Sequence, residues 1–178
     1  SRRGDMLGFW SKVEEGTIPT RVTHNDTKIN NILFDRQGEV LCAIDLDTVM
    51  ASTSLNDFGD AIRSYANTGD EDDRDLSRVG LSLEMFRAYT EGYLSQRAKQ
   101  LTDSEIDHLA FSARYITFEQ VLRFLMDYID GDTYYKVKYP GHNLVRTHAQ
   151  YRLLQSMEEH YGEMCRIVRE TVDKYRKA

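Results

Sequence analysis

Cysteine is scarce, with two in 178 residues, Cys42 and Cys165, far apart in sequence. That excludes a disulfide framework, and the pair reads as reduced core thiols of a cytoplasmic protein. Basic charge is also short: 23 Lys and Arg stand against 29 Asp and Glu, a formal net charge of −6. This balance argues against non-specific binding to nucleic acid or to an anionic membrane surface. No apolar run approaches the roughly 20 residues of a membrane span, and the amino-terminal residues lack the apolar stretch of a secretory signal. Zincin chemistry is excluded too, because Glu158-Glu159-His160 is not H-E-x-x-H. There is no internal repeat and no low-complexity segment. What remains, 40% hydrophobic and 29% charged residues, is the composition of one globular domain with a real core.

One stretch carries the chemistry, VTHNDTKINNILFDRQGEVLCAIDLDTVM from Val22 to Met50. Two short apolar runs, Ile32–Phe34 and Val40–Ile44, flank the polar turn Asp35-Arg36-Gln37-Gly38 and predict a β-hairpin. Antiparallel pairing about Gln37-Gly38 returns Asp45 to the neighbourhood of Asn31, with Asp26 just upstream. An aspartate, an asparagine and one or two further carboxylates thus gather at one edge. Phosphoryl transfer needs such a set: a carboxylate to orient the acceptor hydroxyl and hard oxygen ligands for Mg²⁺ on the nucleotide phosphates. The spacing H-x-D-x-x-x-x-N from His24 to Asn31, then a hairpin and Asp45, is that of kinase catalytic and metal loops. Each residue alone would read as a cap or a turn.

These motifs resemble the aminoglycoside phosphotransferase and choline kinase superfamily, and VTHNDTKINNILFD with IDLDTVM is most similar to its N-acetylhexosamine kinase branch, sometimes labelled mucin desulfatase. The resemblance implies an α+β, mainly α, kinase-like carboxy-terminal lobe with a short catalytic hairpin. It implies Asp26 as catalytic base and Asn31 and Asp45, with Asp47, as Mg²⁺ ligands. ATP would be the co-substrate, and His24 and Asp57 would support the loop. DFGDAIR after the metal loop is a feature of that branch, and Asp57 would accept backbone N–H bonds from the catalytic loop or simply cap its own helix. The branch's usual Pro-Gly is replaced by Ala51-Ser52-Thr53. RFLMDYIDGDTYY and YPGHNLVRTHAQ also resemble the branch, and on that likeness Arg123 and Tyr134 are acceptor contacts, with Asp127 as an orienting partner. Without it, Arg123 reads as a surface residue paired with Asp127 at i+4.

Elsewhere periodicity predicts helices over 5–15, from Leu55 to Tyr65, over 82–100, over 104–130 behind the capping box Thr102-Asp103-Ser104-Glu105, and from Leu144 to Lys174 with a bend at Gly162. The 104–130 helix is apolar enough around its circumference to predict a central buried element. Ala51–Ser54 reads as a loop, and the acidic run Gly69–Asp75 as a solvated loop that lacks the glycine and glutamate of a calcium site. The aromatic-basic segment Tyr134–Asn143 suits sugar stacking and ordinary helix packing alike.

No Gly-rich loop and no strand bearing a phosphate-pairing lysine precede the catalytic stretch. All of residues 1–178 is therefore expected to be the carboxy-terminal lobe, with the nucleotide-binding lobe supplied in cis by a longer protein. The expected acceptor is an amino sugar; aminoglycoside or choline-like acceptors stay open, as does a non-catalytic binding domain. A formylglycine sulfatase would need C-x-P-x-R, which neither cysteine provides.

Overall fold

The computed structural model describes residues 2–177. Helix α1 (Arg2–Glu14) ends where Gly16 turns left-handed, φ +76°, and its N–H reaches Val13 O at 3.1 Å. Four short strands follow: β1 (Arg21–Thr23), β2 (Ile32–Phe34), β3 (Val40–Ala43) and β4 (Met50–Ser52). They form two antiparallel pairs, one nested inside the other. β2 and β3 make the expected hairpin, with Ile32 opposite Ala43 and Leu33 opposite Cys42. Asp35 Oδ1 closes its turn by accepting from Gln37 N and Glu39 N, while Gly38 takes φ +87°. β1 and β4 pair outside the hairpin, Val22 opposite Ala51. The expected loop at Ala51–Ser54 is thus half strand, and the helix cap falls on Thr53, whose Oγ1 accepts from Leu55 N.

Five helices build the body: α2 (Ser54–Tyr65), α3 (Leu83–Arg97), α4 (Asp103–Ile129), α5 (His142–Glu159) and α6 (Tyr161–Arg176). α4 packs between α2 and α5, and α3 lies against α6. Phe58, Ile62, Phe86, Leu94, Leu109, Leu153 and Met157 form the buried centre. The α2–α4 contact is close enough that a Cβ on Gly59 would stand 2.4 Å from Ser112 O. The mainly α architecture with one short hairpin agrees with the sequence expectation.

Four expectations need correction. The carboxy-terminal turns of α4 are not buried: Leu122, Met126, Tyr128 and Ile129 face outward because only the Val121, Phe124 and Asp127 side meets the following loop and α5. The expected helix from Leu144 to Lys174 breaks at His160 (φ −102°, ψ 8°), where its Nδ1 pairs with Ser156 O, rather than bending at Gly162. Cys42 is exposed on the hairpin, so only Cys165 packs toward the core. The acidic run is only in part a solvated loop: Asp70, Arg74 and Asp75 are exposed, but its middle is tied down. Asp73 is buried beside Arg78, Glu71 receives Arg63 at 2.7 Å, and Asp72 accepts from Lys138 (3.0 Å) and His142 (2.8 Å). Arg63 and Lys138, remote in sequence, and Arg78 nearby thus pair with three of its five carboxylates.

Candidate active site

The catalytic stretch is held from below by α2. Asp57 accepts the backbone N–H groups of His24 (3.0 Å) and Asn25 (2.7 Å) through separate oxygens, and Thr27 Oγ1 donates to its carbonyl at 2.6 Å. The side of the loop is laced to the turn after β3: Thr48 Oγ1 donates to His24 O, and Asn25 Nδ2 to Thr48 O. Asn25 accepts the resulting φ of +62°, a left-handed conformation that asparagine tolerates better than most residues. His24 Nε2 pairs with Ile44 O at 2.9 Å, one residue before Asp45.

Asp26 is anchored by one oxygen only. Its Oδ2 receives Lys28 Nζ at 2.7 Å and Asn31 Nδ2 at 2.8 Å, and Oδ1 receives no donor from the described residues. Burial works against the charge on Lys28, but the adjacent Asp26, with Asp45 and Asp60 farther off, outweighs it and raises the lysine pKa. Asn31 is buried and spends its amide protons on Asp26 O and Oδ2, so its Oδ1 accepts nothing from the described residues. The strand register carries Asp45 alongside: Ile44 N donates to Asn31 O at 2.9 Å, and Asp45 follows at φ +64°. Asp45 and Asp47 are exposed.

These residues fit Mg²⁺. No group of three or more His, Cys, Asp or Glu that could hold a metal occurs among the described residues, so protein ligation would come from an amide oxygen and a carboxylate. Mg²⁺ is commonly bound this way, by one or two carboxylates plus substrate phosphates and water. Asn31 Oδ1, oriented by its own amide protons, and the unpaired Asp45 carboxylate are that kind of donor set.

A cavity of about 650 Å³ opens beside Asp26 and brings Asp26, Arg123 and Tyr134 onto one wall system, together with Lys28, Arg63, Glu71, Gln120, Phe124, Tyr135, Arg146 and Gln150. Asn31, Asp45 and Asp47 lie outside its lining, as do His24, Asp57 and Asp127. The guanidinium of Arg123 sits 5.9 Å from the Tyr134 ring centroid and 5.6 Å from that of Tyr135. Asp127 makes no ion pair with Arg123. It is buried, and its carboxylate takes N–H bonds from Thr133, Tyr134 and Tyr135 (2.8–3.0 Å) and one from Asn143 Nδ2 (2.7 Å). Desolvation opposes its charge, but these four donors prevail and lower its pKa. What Asp127 orients is the loop carrying Tyr134, not the arginine.

The family model described as Phosphotransferase enzyme family (APH) matches residues 4–94, just over half of the 178 residues. The chain belongs to this phosphotransferase family. Its members are kinase-type enzymes that generally use ATP and Mg²⁺, and the match spans α1 through most of α3, including the whole catalytic stretch. The part of the phosphotransferase cavity contributed by α4, the 133–136 loop and α5 lies beyond the matched residues.

Sequence reasoning passed over Lys28, Arg63, Glu71, Arg146 and Gln150. A cation two residues after Asp26 was a readable signal for Lys28. Nothing local marks Gln150, which reaches the site only through the packing of α5 on α4.

Proposed function

We propose that this chain is the catalytic lobe of an ATP- and Mg²⁺-dependent kinase that phosphorylates a hydroxyl of an amino sugar, an N-acetylhexosamine by the resemblance of its motifs. The observation that carries the reading is the asymmetry of Asp26. One oxygen is tied to Lys28 and Asn31, and the other is free beside a cavity walled by Arg123, Tyr134 and Gln120. A carboxylate so fixed can accept a hydrogen bond from the acceptor hydroxyl, align its oxygen, and take the proton as the bond to phosphorus forms. Lys28 stands where it can offset negative charge next to that carboxylate. Asn31 and Asp45, with Asp47 nearby, would hold Mg²⁺, which when bound neutralises charge on the phosphate oxygens. Arg123 supplies donors to sugar hydroxyls, and the exposed Tyr134 ring offers a stacking face.

The lobe we assign needs a partner in cis. Val22, Leu33, Phe34, Val40, Leu41, Ile44, Leu46, Val49 and Met50 are exposed on and around the hairpin. An apolar face of this kind favours a covering element, and a nucleotide-binding lobe joined ahead of α1 would supply it. On this reading the 178 residues alone turn over negligibly. No described helix is long and apolar enough to cross a membrane, and the net charge of −6 weighs against nucleic acid as partner.

The test is ATP-dependent phosphate transfer by the protein carrying both lobes, across hexosamines, N-acetylhexosamines, aminoglycosides and choline. N-acetylhexosamines should be phosphorylated, and Asp26→Asn should lower kcat by at least about 100-fold with acceptor binding kept. Turnover of aminoglycosides or choline in their place would overturn the acceptor assignment. Sulfate-ester hydrolysis without ATP would overturn the kinase reading itself.

A further inference from the structure

The inner end of the cavity carries a polar group that the folded chain leaves unpaired. Gln150, on α5, is wholly buried and lines the cavity; its Oε1 accepts from Arg63 Nη1 at 3.3 Å, while Nε2 has no partner among the described residues. One turn earlier Arg146 lines the same cavity, and its Nε is likewise buried without a hydrogen-bond acceptor among the described residues. Its other contacts hold it still: Nη1 donates to Lys136 O and Asn143 Oδ1, and the guanidinium lies 5.2 Å from the Phe124 ring centroid. Buried polar groups are nearly always paired, so unpaired donors on a cavity wall point to a ligand atom.

The charges on this floor are already matched. Arg63 donates through Nε and Nη2 to Asp60 Oδ1 and through Nη1 to Glu71, while Arg146 Nε stands 3.9 Å from the Glu71 carboxylate. Two guanidiniums therefore face two carboxylates. Asp60 Oδ2 is also unpaired, but Asp60 does not line the cavity. What Gln150 and Arg146 offer a ligand is N–H groups beside guanidiniums that already face carboxylates. An ammonium would meet donors with a donor. A carboxylate would add an unbalanced charge. A carbonyl oxygen brings lone pairs for more than one N–H, no proton of its own and no net charge.

We infer that Gln150 and Arg146 bind the carbonyl oxygen of an acylamino substituent on the acceptor, making the cavity floor the element that selects N-acylated sugars over free amines and parent hexoses. This rests on the reading of the cavity as the acceptor site. Gln150 is a specificity residue here and takes no part in proton transfer.

Equilibrium binding to the whole chain tests it with three probes: N-acetylglucosamine, glucosamine and glucose. The wild type should bind the N-acetyl sugar about tenfold more tightly than glucose, the worth of a hydrogen bond to a buried donor. Gln150→Glu, which replaces the donor by an acceptor, and Gln150→Met, which removes both polar atoms, should each weaken the N-acetyl sugar far more than glucose and so erase that preference. The Gln150 side-chain amide resonance of ¹⁵N-labelled wild type should shift with the N-acetyl sugar and not with glucose, a readout that needs no variant. An N-acetyl preference surviving in both variants, an equal loss of both sugars, or an amide resonance indifferent to the acetyl group would overturn the inference and leave the sugar-kinase reading standing. Binding of an aminoglycoside, with none of the three sugars bound, would instead remove that reading and the inference together.

Discussion

Asp57 serves two masters: it lies in the first turn of α2, where a carboxylate complements the helix dipole, yet both of its oxygens are taken by the N–H groups of His24 and Asn25. Asparagine in its place has one acceptor oxygen, so one of those N–H groups would face an NH₂. A hydrogen bond to a charged group contributes roughly 1.5–3 kcal/mol, and Asp57→Asn should cost about that much while freeing the loop that carries Asp26. Amide hydrogen exchange at His24 and Asn25 should quicken well before exchange in the core of α4. Unchanged protection there would mean that Thr48 and Asn25 hold the loop without help. Asp127 invites the parallel experiment at the other end of the cavity. Asp127→Ala strands three backbone donors in the Tyr134 loop, so acceptor affinity should fall while protection at His24 and Asn25 stays as in the wild type. Loss of protection at both ends would show that the two loops are not independent.

At the scale of elements, Gly59 and Gly8 should respond to alanine with opposite signs. A methyl on Gly59 would meet Ser112 O at 2.4 Å and Ser112 C at 2.8 Å, both backbone atoms of α4. Neither helix can yield without moving the core, so Gly59→Ala should destabilise by at least about 1–3 kcal/mol. Gly8 is exposed within α1 with no atom within 4 Å of the added carbon, and Gly8→Ala should stabilise by about 0.5–1 kcal/mol through helix propensity. Thermal melts of the two variants check both, and a neutral Gly59→Ala would mean that α2 slides freely on α4. These elements were unequally legible in the sequence. The hairpin announced itself through two apolar runs around Asp35–Gly38, and α4 through a capping box in which Thr102 and Glu105 do bond reciprocally. β1 and β4 did not, because three-residue strands are too short to show alternation and their pairing spans the entire catalytic stretch. The acidic run was misread in part for a related reason: the groups that pair with Glu71 and Asp72, namely Arg63, Lys138, His142 and Arg146, come from α2, the loop before α5, and α5 itself. Of the site, the H-x-D-x-x-x-x-N spacing pointed to Asp26 and Asn31, whereas the cavity floor exists only through tertiary packing and left no local mark.

Across the whole molecule, one carboxylate joins three parts of the chain. Glu105 at the start of α4 receives Arg21 of β1 through two bonds (2.6 and 2.7 Å), Ser54 Oγ of α2 (2.7 Å) and the backbone N–H of Thr102 (2.8 Å). Desolvation opposes its charge, but Arg21, Thr102 and Ser54 prevail and hold its pKa at about 2, against 4.5 for a free glutamate. Asp72, gripped by His142 and Lys138, is likewise held at about 2. Both pKa values are depressed on folding, so the unfolded chain binds the protons more readily. The stabilisation is therefore complete above the unfolded values and is lost as pH falls from about 5 toward 2. The wild-type Tm should be nearly level from pH 7 to 5 and then drop steeply. Glu105→Gln leaves Arg21 without its ion partner and should lower stability at pH 7 by on the order of 3 kcal/mol. With no carboxylate left at that junction to protonate, its Tm should also decline more gently below pH 5, so that the two profiles converge toward pH 2.5. Asp72→Asn should flatten the same limb to a smaller degree, because its carboxylate is partly exposed and its loss frees only the 69–75 loop from the 138–142 segment. Parallel profiles for wild type and Glu105→Gln, separated by a constant offset down to pH 2.5, would place the acid-sensitive junction elsewhere in the lobe.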